Sequence, residues 1–277
     1  MAARRVDITG GPGKNGPWDT TGCTLIEGNC HQILREVREG SVDLVFADPP
    51  YRLSGSGTTC HGGARAPVTK GSWDAPLGVS EALEDDLDWL AGCRRVLKST
   101  GSLWVSGTFH NIFSVGHALE ILGFGVVNLV TWRKPNPAPN LGCRSFVHST
   151  ELVIWATKAP GHTFHYELMR QEHGGTQMGD VWTMSAHDRG GDQRIHPAQK
   201  PIELLDRIVR CSSNPGDLVL DPFAGSGTTG VVSLNRGRRF LGIESDHAHF
   251  EAGAGRLKSV VSWKEEGILA DFLEEIT

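Results

Sequence analysis

The chain has 277 residues, 39% of them apolar, and carries 27 Lys+Arg against 32 Asp+Glu for a formal charge of −5. At about 100–200 residues per domain this is one large domain or two small ones, with enough chain to bury a core. Composition excludes a collagen, since the 35 glycines have no G-X-Y period, and a transmembrane helix, since no run of about 18 apolar residues occurs. Six scattered cysteines without a C-x-x-C pair speak against a disulfide or zinc scaffold. Arg4 and Arg5 have no apolar stretch behind them, so the N-terminus does not read as a signal peptide and a reduced, cytoplasmic chain is expected.

In chain order, residues 1–20 are rich in Gly, Pro and polar side chains and are expected to form a flexible segment. One domain is expected over 21–258. Its apolar runs predict strands at Cys23–Glu27, Val42–Ala47, Ser102–Ser106, Gly125–Trp132, Glu151–Thr157, Asp217–Leu220 and Arg239–Ile243. Helical patterns fall at His31–Arg38, Ser80–Lys98, Asn111–Leu122, Ile202–Cys211, Thr228–Asn235 and His247–Leu257. Strand–helix alternation with near-continuous apolar strands predicts an α/β fold, a mostly parallel sheet with helices on both faces. The helix carrying Leu83, Leu87, Leu90 and Leu97 at core-facing spacing is scaffold.

Two stretches break the alternation. Residues 52–76 hold five glycines and little apolar content, and read as a long mobile loop. Residues 158–197 mix His, Gly and charge with a few apolar anchors (Phe164, Tyr166, Met169, Met178, Val181, Trp182) and read as an insert resting on the sheet. Residues 259–277 are expected to form an acidic tail.

The charge has structure along the chain. From Glu244 to Thr277 there are eight acids and three bases, which holds the whole deficit; the first 243 residues carry 24 of each sign. Between Arg133 and Arg210 lie ten Lys/Arg, eight Asp/Glu and six of the twelve histidines. A basic surplus is the usual footprint of a nucleic-acid binder, but a neutral body with local basic patches can also hold a polyanion, with modest and salt-sensitive affinity.

Two strand ends share a grammar: DLVFADPPY (43–51) and DLVLDPFAG (217–225) each run from an apolar strand through Asp-Pro into a tight loop. Either Asp-Pro alone could be a simple turn. Together, at the carboxyl ends of strands in an open α/β sheet, they suggest two facing ligand positions. The second loop continues as Gly225-Ser-Gly227-Thr-Thr-Gly230, a G-x-G-x-x-G between strand and helix, with Glu244 nineteen residues after the first glycine. That pattern suits any adenosyl ligand, NAD or S-adenosylmethionine, whose ribose hydroxyls an acid can hold; no Gly-Lys-Ser/Thr follows, so it is not a P-loop. The first loop, Asp48-Pro49-Pro50-Tyr51, combines a carboxylate, a rigid turn and an aromatic face. Those groups suit a planar substrate with an exocyclic amine: two acceptors for its hydrogens free the lone pair, and the ring stacks.

These residues resemble the DNA amino-methyltransferases, which transfer a methyl group from S-adenosylmethionine to N6 of adenine or N4 of cytosine. DPPY (48–51) is similar to their catalytic motif and DPFAGSGTTG (221–230) to their cofactor motif. The order, catalytic motif first, resembles the circularly permuted beta group, as do HPAQKP (196–201), WRKPNPAPN (132–140) and FVHSTELVIWATK (146–158). The resemblance covers residues 20–258 and implies a Rossmann-like methyltransferase fold. It implies that Asp48 and the Pro49 carbonyl, stiffened by Pro50, accept from the target amine, while Tyr51 stacks on a base flipped out of the duplex. It further implies that Asn29, Cys30, Asp48, Asp221, Phe223, Gly225, Gly227, Thr228, Thr229 and Glu244 surround the cofactor. Asn29 stands where the family usually has an acid. Lys200 would lie near the methionine carboxylate, the plain alternative being a solvated lysine at a helix start; His196 could equally be a capping histidine.

On the same resemblance, residues 136–196 become a target-recognition insert, and Arg133, Lys134 and Arg144 phosphate contacts rather than ordinary surface charges. Asp48-Pro49 rather than Ser-Pro in the motif favours adenine N6, as in a site-specific, restriction-modification type enzyme of bacterial or phage origin. Double-stranded DNA is then the partner, a homodimer and a cognate restriction endonuclease fit the family, and no metal or membrane is needed; no histidine spacing matches a zinc site. The rival readings are cytosine-N4 methylation, methylation of RNA or of a protein glutamine, an NAD-dependent oxidoreductase resting on GSGTTG alone, and a non-catalytic DNA-binding module.

Overall fold

The computed structural model describes residues 3–11, 13–14, 18–53, 58–61, 64–67, 74–137, 139–140, 142–185 and 200–265. In chain order the elements are β1 (Arg4–Thr9), β2 (Cys23–Glu27), α1 (Cys30–Glu36), β3 (Val42–Ala47), β4 (Thr58–His61), β5 (Ala64–Pro67), α2 (Val79–Val96), β6 (Leu97–Gly107) and α3 (Ile112–Ile121). They continue as β7 (Gly125–Arg133), β8 (Thr150–Thr157), α4 (Tyr166–Glu172), β9 (Val181–Thr183), α5 (Ile202–Ser212), β10 (Leu218–Asp221), α6 (Thr228–Asn235), β11 (Arg239–Glu244) and α7 (His247–Glu265). Nine strands form one sheet in the order β1-β2-β11-β10-β3-β6-β8-β7-β9. β2, β11, β10, β3 and β6 are parallel; β8 runs antiparallel between β6 and β7.

Apolar side chains on both faces of the sheet make two cores. On one face Ile33, Leu34, Trp89, Leu90, Val115 and Leu119 bring α1, α2 and α3 onto Val45, Leu103 and Ile243. On the other, Met169, Leu204, Ile208, Val231, Phe250 and Leu257 bring α4 to α7 onto Leu44, Trp104 and Phe240. The fold is therefore α/β and Rossmann-like, with a mixed sheet between two helical layers. Trp104 and Trp155 stack across β6 and β8 with ring centroids 4.9 Å apart, and Trp182 leans on Trp104 at 6.0 Å.

Four expectations are corrected. Residues 4–9 are the edge strand β1, paired antiparallel with β2, because Val6 and Ile8 alternate inward onto the core while Arg5 pairs with Asp7 outside. The expected loop 52–76 contains an antiparallel pair, β4 and β5. Residues 158–197, read as an insert resting on the sheet, belong to it in part: β9 pairs with β7 and extends the edge through Trp182. Helix α7 continues past 258 because Val260 still faces the core. Residues 54–57, 62–63, 68–73, 138, 141, 186–199 and 266–277 of the expected loop, insert and tail lie outside the described residues.

The third glycine of the loop motif is a packing residue. A Cβ on Gly230 would come 2.8 Å from Leu257 and from the Phe240 ring, so α6 sits closer to β11 and α7 than any side chain allows. Phe240 is fully buried and cannot swing away. Gly230→Ala is expected to destabilise the protein by about 1–3 kcal/mol through overpacking, measured as a lower midpoint in urea unfolding with an unchanged slope.

Candidate active site

β3 and β10 are parallel neighbours, Val219 opposite Leu44 and Leu220 opposite Val45, so both Asp-Pro loops leave the same edge of the sheet side by side. From this pair the strand order grows in opposite directions, β10-β11-β2 one way and β3-β6 the other, which opens a crevice at the carboxyl ends.

At the end of β3, Asp48 has both oxygens engaged. Oδ1 accepts from the Tyr51 hydroxyl at 2.9 Å and from the Ser106 hydroxyl at the end of β6; Oδ2 accepts from the Lys200 ammonium at 2.7 Å. The Lys200 side chain is only 8% exposed and also lies 3.6 Å from Glu151 and 5.0 Å above the Tyr51 ring. Burial works against its charge, but the carboxylates of Asp48 and Glu151 outweigh it and hold the ammonium well above the usual lysine range. Burial, then the charge of Asp48, raises the Tyr51 hydroxyl well above the usual tyrosine range, so it is a neutral donor. Glu151, at the start of β8, takes Lys134 Nζ on Oε1 at 2.5 Å and lies 3.4 Å from the Tyr51 hydroxyl.

The exit of this loop is strained and held. Arg52 has φ +59°, the left-handed region that a non-glycine residue enters at a cost. Asp74, fully buried, accepts from the backbone N–H of Arg52 at 2.7 Å and of Leu53 at 3.1 Å. The Arg52 guanidinium reaches Asp86 at 2.8 Å and Asp85 at 3.1 Å on α2. The predicted scaffold helix therefore also anchors the loop.

At the end of β10 the second loop is shaped by its own acid. Asp221 accepts from the Phe223 N–H at 3.0 Å and from the Thr229 hydroxyl at 2.6 Å. Gly225 (φ +51°) and Gly227 (φ +76°) take the left-handed turns that bring the chain into α6. Glu244, ending β11, accepts from the Gly225 N–H at 2.8 Å and the Asp246 N–H at 2.7 Å, and burial raises its carboxyl above the usual range.

The structure thus gathers Asp48, Pro49, Pro50, Tyr51 and Lys200 at one loop, and Asp221, Phe223, Gly225, Gly227, Thr228, Thr229 and Glu244 at the other. It assigns several of them different contacts from those expected. The Tyr51 ring is buried, 7% exposed, with its hydroxyl turned in on Asp48, so the face expected to stack is covered in this state. Lys200 is neither solvated nor directed away from the first loop; it pairs with Asp48. The Thr228 and Thr229 hydroxyls are used internally, with Arg256 at 2.8 Å and with Asp221. Asn29 spends its side-chain oxygen capping α1 through the His31 N–H at 2.8 Å, and the buried Cys30 thiol is pushed up to about 12 by burial, so it is no thiolate. Arg133 and Arg144 are exposed, but Lys134 is turned inward to Glu151 and is no free phosphate contact. His196 lies outside the described residues. Among the described residues no three His, Cys, Asp or Glu side chains converge as a metal site requires.

Ser106, Glu151, Asp74 and Arg52 are absent from the sequence reading. Ser106 and Glu151 were visible only as the ends of two predicted strands; what brings them to Asp48 is the pairing of β3 with β6 and of β6 with β8.

A family model described as DNA methylase matches residues 42–254 of the chain. The chain is 44% identical over 239 residues to the Type II methyltransferase M2.DpnII of Streptococcus pneumoniae, spanning 85% of this chain and 89% of that protein. Among solved structures, the M1.HpyAVI–SAM complex superposes with a TM-score of 0.64 at 25% identity, over 84% of this chain and 98% of that one. The PvuII DNA methyltransferase (cytosine-N4-specific) reaches a TM-score of 0.69 at 19% identity, over 91% and 96%, a likeness of fold.

Burial pushes the Asp221 carboxyl up from 3.8 to about 7. A raised carboxyl means that the folded state binds the proton more readily than the unfolded one, so this residue costs stability as pH rises from about 4 to about 7, and no further above that. The melting temperature of the wild type relative to Asp221→Asn is expected to fall by several degrees across that window and then level off, since 1 kcal/mol moves a chain of this size by about 2–4 °C. Thermal unfolding of both proteins at pH 5 and pH 8 measures it.

Proposed function

The chain belongs to the DNA methylase family whose model it matches, and we propose that it is a site-specific adenine-N6 methyltransferase of the beta group, with its catalytic motif ahead of its cofactor motif. The observation that carries this reading is the adjacency of the two Asp-Pro loops across β3 and β10. One presents a carboxylate fixed by three donors, the other a glycine turn beside a buried acid.

The glycine loop fits an adenosyl cofactor. A Cβ on Gly225 would meet nothing nearer than the Phe223 carbonyl at 3.9 Å, which leaves space for a ligand against the backbone. Glu244 keeps acceptor capacity beyond its two backbone bonds, as two ribose hydroxyls require. S-adenosylmethionine, when bound, supplies an electrophilic methyl group. Asp48 and the Pro49 carbonyl then accept the two hydrogens of the target amine, which localises the lone pair, and Asp48 stabilises the positive charge that develops on nitrogen. As the N–C bond forms, the methyl–sulfur bond would break and leave S-adenosylhomocysteine, and the extra proton of the methylated nitrogen would pass to water. Rate comes chiefly from alignment, so the rigid Pro49-Pro50 turn and the anchors on Arg52 are part of the machinery. Stacking of the target base on Tyr51 requires the ring to turn out from Asp48 as the base enters.

Asp at the head of the motif favours adenine over cytosine. Arg133, just ahead of the insert, and Arg144, within it, are exposed and are assigned to the DNA backbone. The same reading makes a cognate restriction endonuclease and a second copy of the chain the expected partners, and the cytoplasm its place. No helix among the described residues is long and apolar enough to cross a membrane.

The test is methylation of duplex DNA by the purified chain with methyl-labelled S-adenosylmethionine, followed by digestion to nucleosides. N6-methyladenine is the expected product; N4-methylcytosine would transfer the reading to the other base, and binding of NAD in place of S-adenosylhomocysteine would end it. Asp48→Ala is expected to lower the rate by about 10³-fold or more while S-adenosylhomocysteine still binds.

A further inference from the structure

Among the described residues, the charges around Asp48 form one connected set. Asp48 and Glu151 are carboxylates, Lys200 and Lys134 ammonium groups, and the chain of contacts runs from Lys134 to Glu151 (2.5 Å), Glu151 to Lys200 (3.6 Å) and Lys200 to Asp48 (2.7 Å). The set sums to zero, and the side chains of Lys200, Glu151 and Asp48 are 8%, 14% and 18% exposed, so a change of one charge is felt by the others. The four residues come from four places: the ends of β3 and β7, the start of β8, and the residue two before α5.

Oδ1 of Asp48 is filled by two hydroxyls, those of Tyr51 and Ser106. The other oxygen, Oδ2, holds the Lys200 ammonium; with Ser106 still on Oδ1 after Tyr51 turns out to stack, the target amine is assigned to Oδ2. Base entry therefore requires Lys200 to give up, or share, its bond to Asp48. The second acceptor beside that ammonium is Oε2 of Glu151, and the other oxygen of Glu151 is kept in place by Lys134.

We propose that Glu151 is a positioning residue for methyl transfer: it provides the alternative seat for the Lys200 ammonium, frees Oδ2 of Asp48 for the target amine, and keeps the cluster neutral where positive charge develops. Lys134 is its fixed counter-charge. This inference rests on the amine-methyltransferase reading above. Without Glu151, Lys200 has Asp48 as its remaining carboxylate and competes directly with the amine. The site then also carries one excess positive charge beside a nitrogen that becomes positive in the transition state. The loss should fall on the chemical step and not on the binding of DNA or cofactor.

The test uses the full chain, a DNA duplex and S-adenosylmethionine, with Glu151→Gln, Lys134→Met and the double variant. Single-turnover methylation rate, DNA KM and calorimetric affinity for S-adenosylhomocysteine are the readouts. Glu151→Gln is expected to lower the rate by about 10- to 100-fold, leaving DNA KM and S-adenosylhomocysteine affinity within about threefold. The double variant, which restores neutrality, is expected to recover at least about fivefold of that loss, a coupling that a merely structural role would not produce. A Glu151→Gln protein as fast as wild type overturns the proposal, as does a double variant whose loss is the product of the single losses. Should Glu151→Gln fail to fold, Glu151→Asp decides: with the charge kept, its rate stays within about threefold of wild type, and a larger loss overturns the proposal. A wild-type chain without activity on DNA overturns the functional reading, and this inference with it; an active wild type with an indifferent Glu151 removes only this inference.

Discussion

The pairing of β10 with β3 is the contact on which the site depends. The two strands are about 175 residues apart in the chain, and a side chain helps to join them: Asp43 on β3 accepts from the backbone N–H of Leu218 at 2.9 Å and from Lys98 at 2.5 Å, tying the starts of β10, β3 and β6 together. From that starting line the strands run parallel to the opposite edge, where Asp48 and Asp221 emerge next to each other. The proximity is close enough that the charge of Asp48 contributes to raising the Asp221 carboxyl. Without that register there would be two acidic turns on one protein, and no site.

The two acids have different duties because their partners differ. Asp221 is buried with a backbone N–H and a hydroxyl as donors and no cation, so ionising it is costly and it acts as a fastener of the glycine loop. Asp48 is bonded to an ammonium and two hydroxyls, so its charge is compensated and it faces the crevice. Both loops are rigid for reasons that lie outside them. Arg52, held on α2 and by Asp74, fixes the exit of one; Gly230, pressed on Phe240 and Leu257, fixes the entry of the other to α6. Such fixing before the substrate arrives is what alignment-driven catalysis requires.

Much of the frame could be read directly. Continuous apolar runs located β2, β3, β10 and β11 to within a residue or so, because a strand covered on both faces must be apolar at every position. Elements whose pattern is short or mixed escaped. β1 offers only Val6 and Ile8 between charged residues, α4 has the single deeply buried Met169, and β9 is three residues around Trp182. Each is stabilised by what it lies against and not by its own composition. The insert was misjudged for a related reason: the His, Gly and charged residues around β9 disguised three residues that extend the sheet beside β7.

From the amino-acid order alone came the fold class, the two Asp-Pro loops, the glycine turn with Glu244 at its distance, and the family, because all of these depend on local spacing and residue chemistry. Charge partnership did not follow from spacing. The −5 total, its deficit held in the last 34 residues, says nothing of the neutral cluster of Asp48, Glu151, Lys134 and Lys200. Lys134 looked like a phosphate ligand and Lys200 like a group for the cofactor; the antiparallel insertion of β8 next to β6 brought Glu151 to both, and the end of β3 gave Lys200 its nearer partner, Asp48. Which charges meet is set by strand register between distant segments, and in a low-dielectric crevice those meetings, more than net charge, decide what each residue can do.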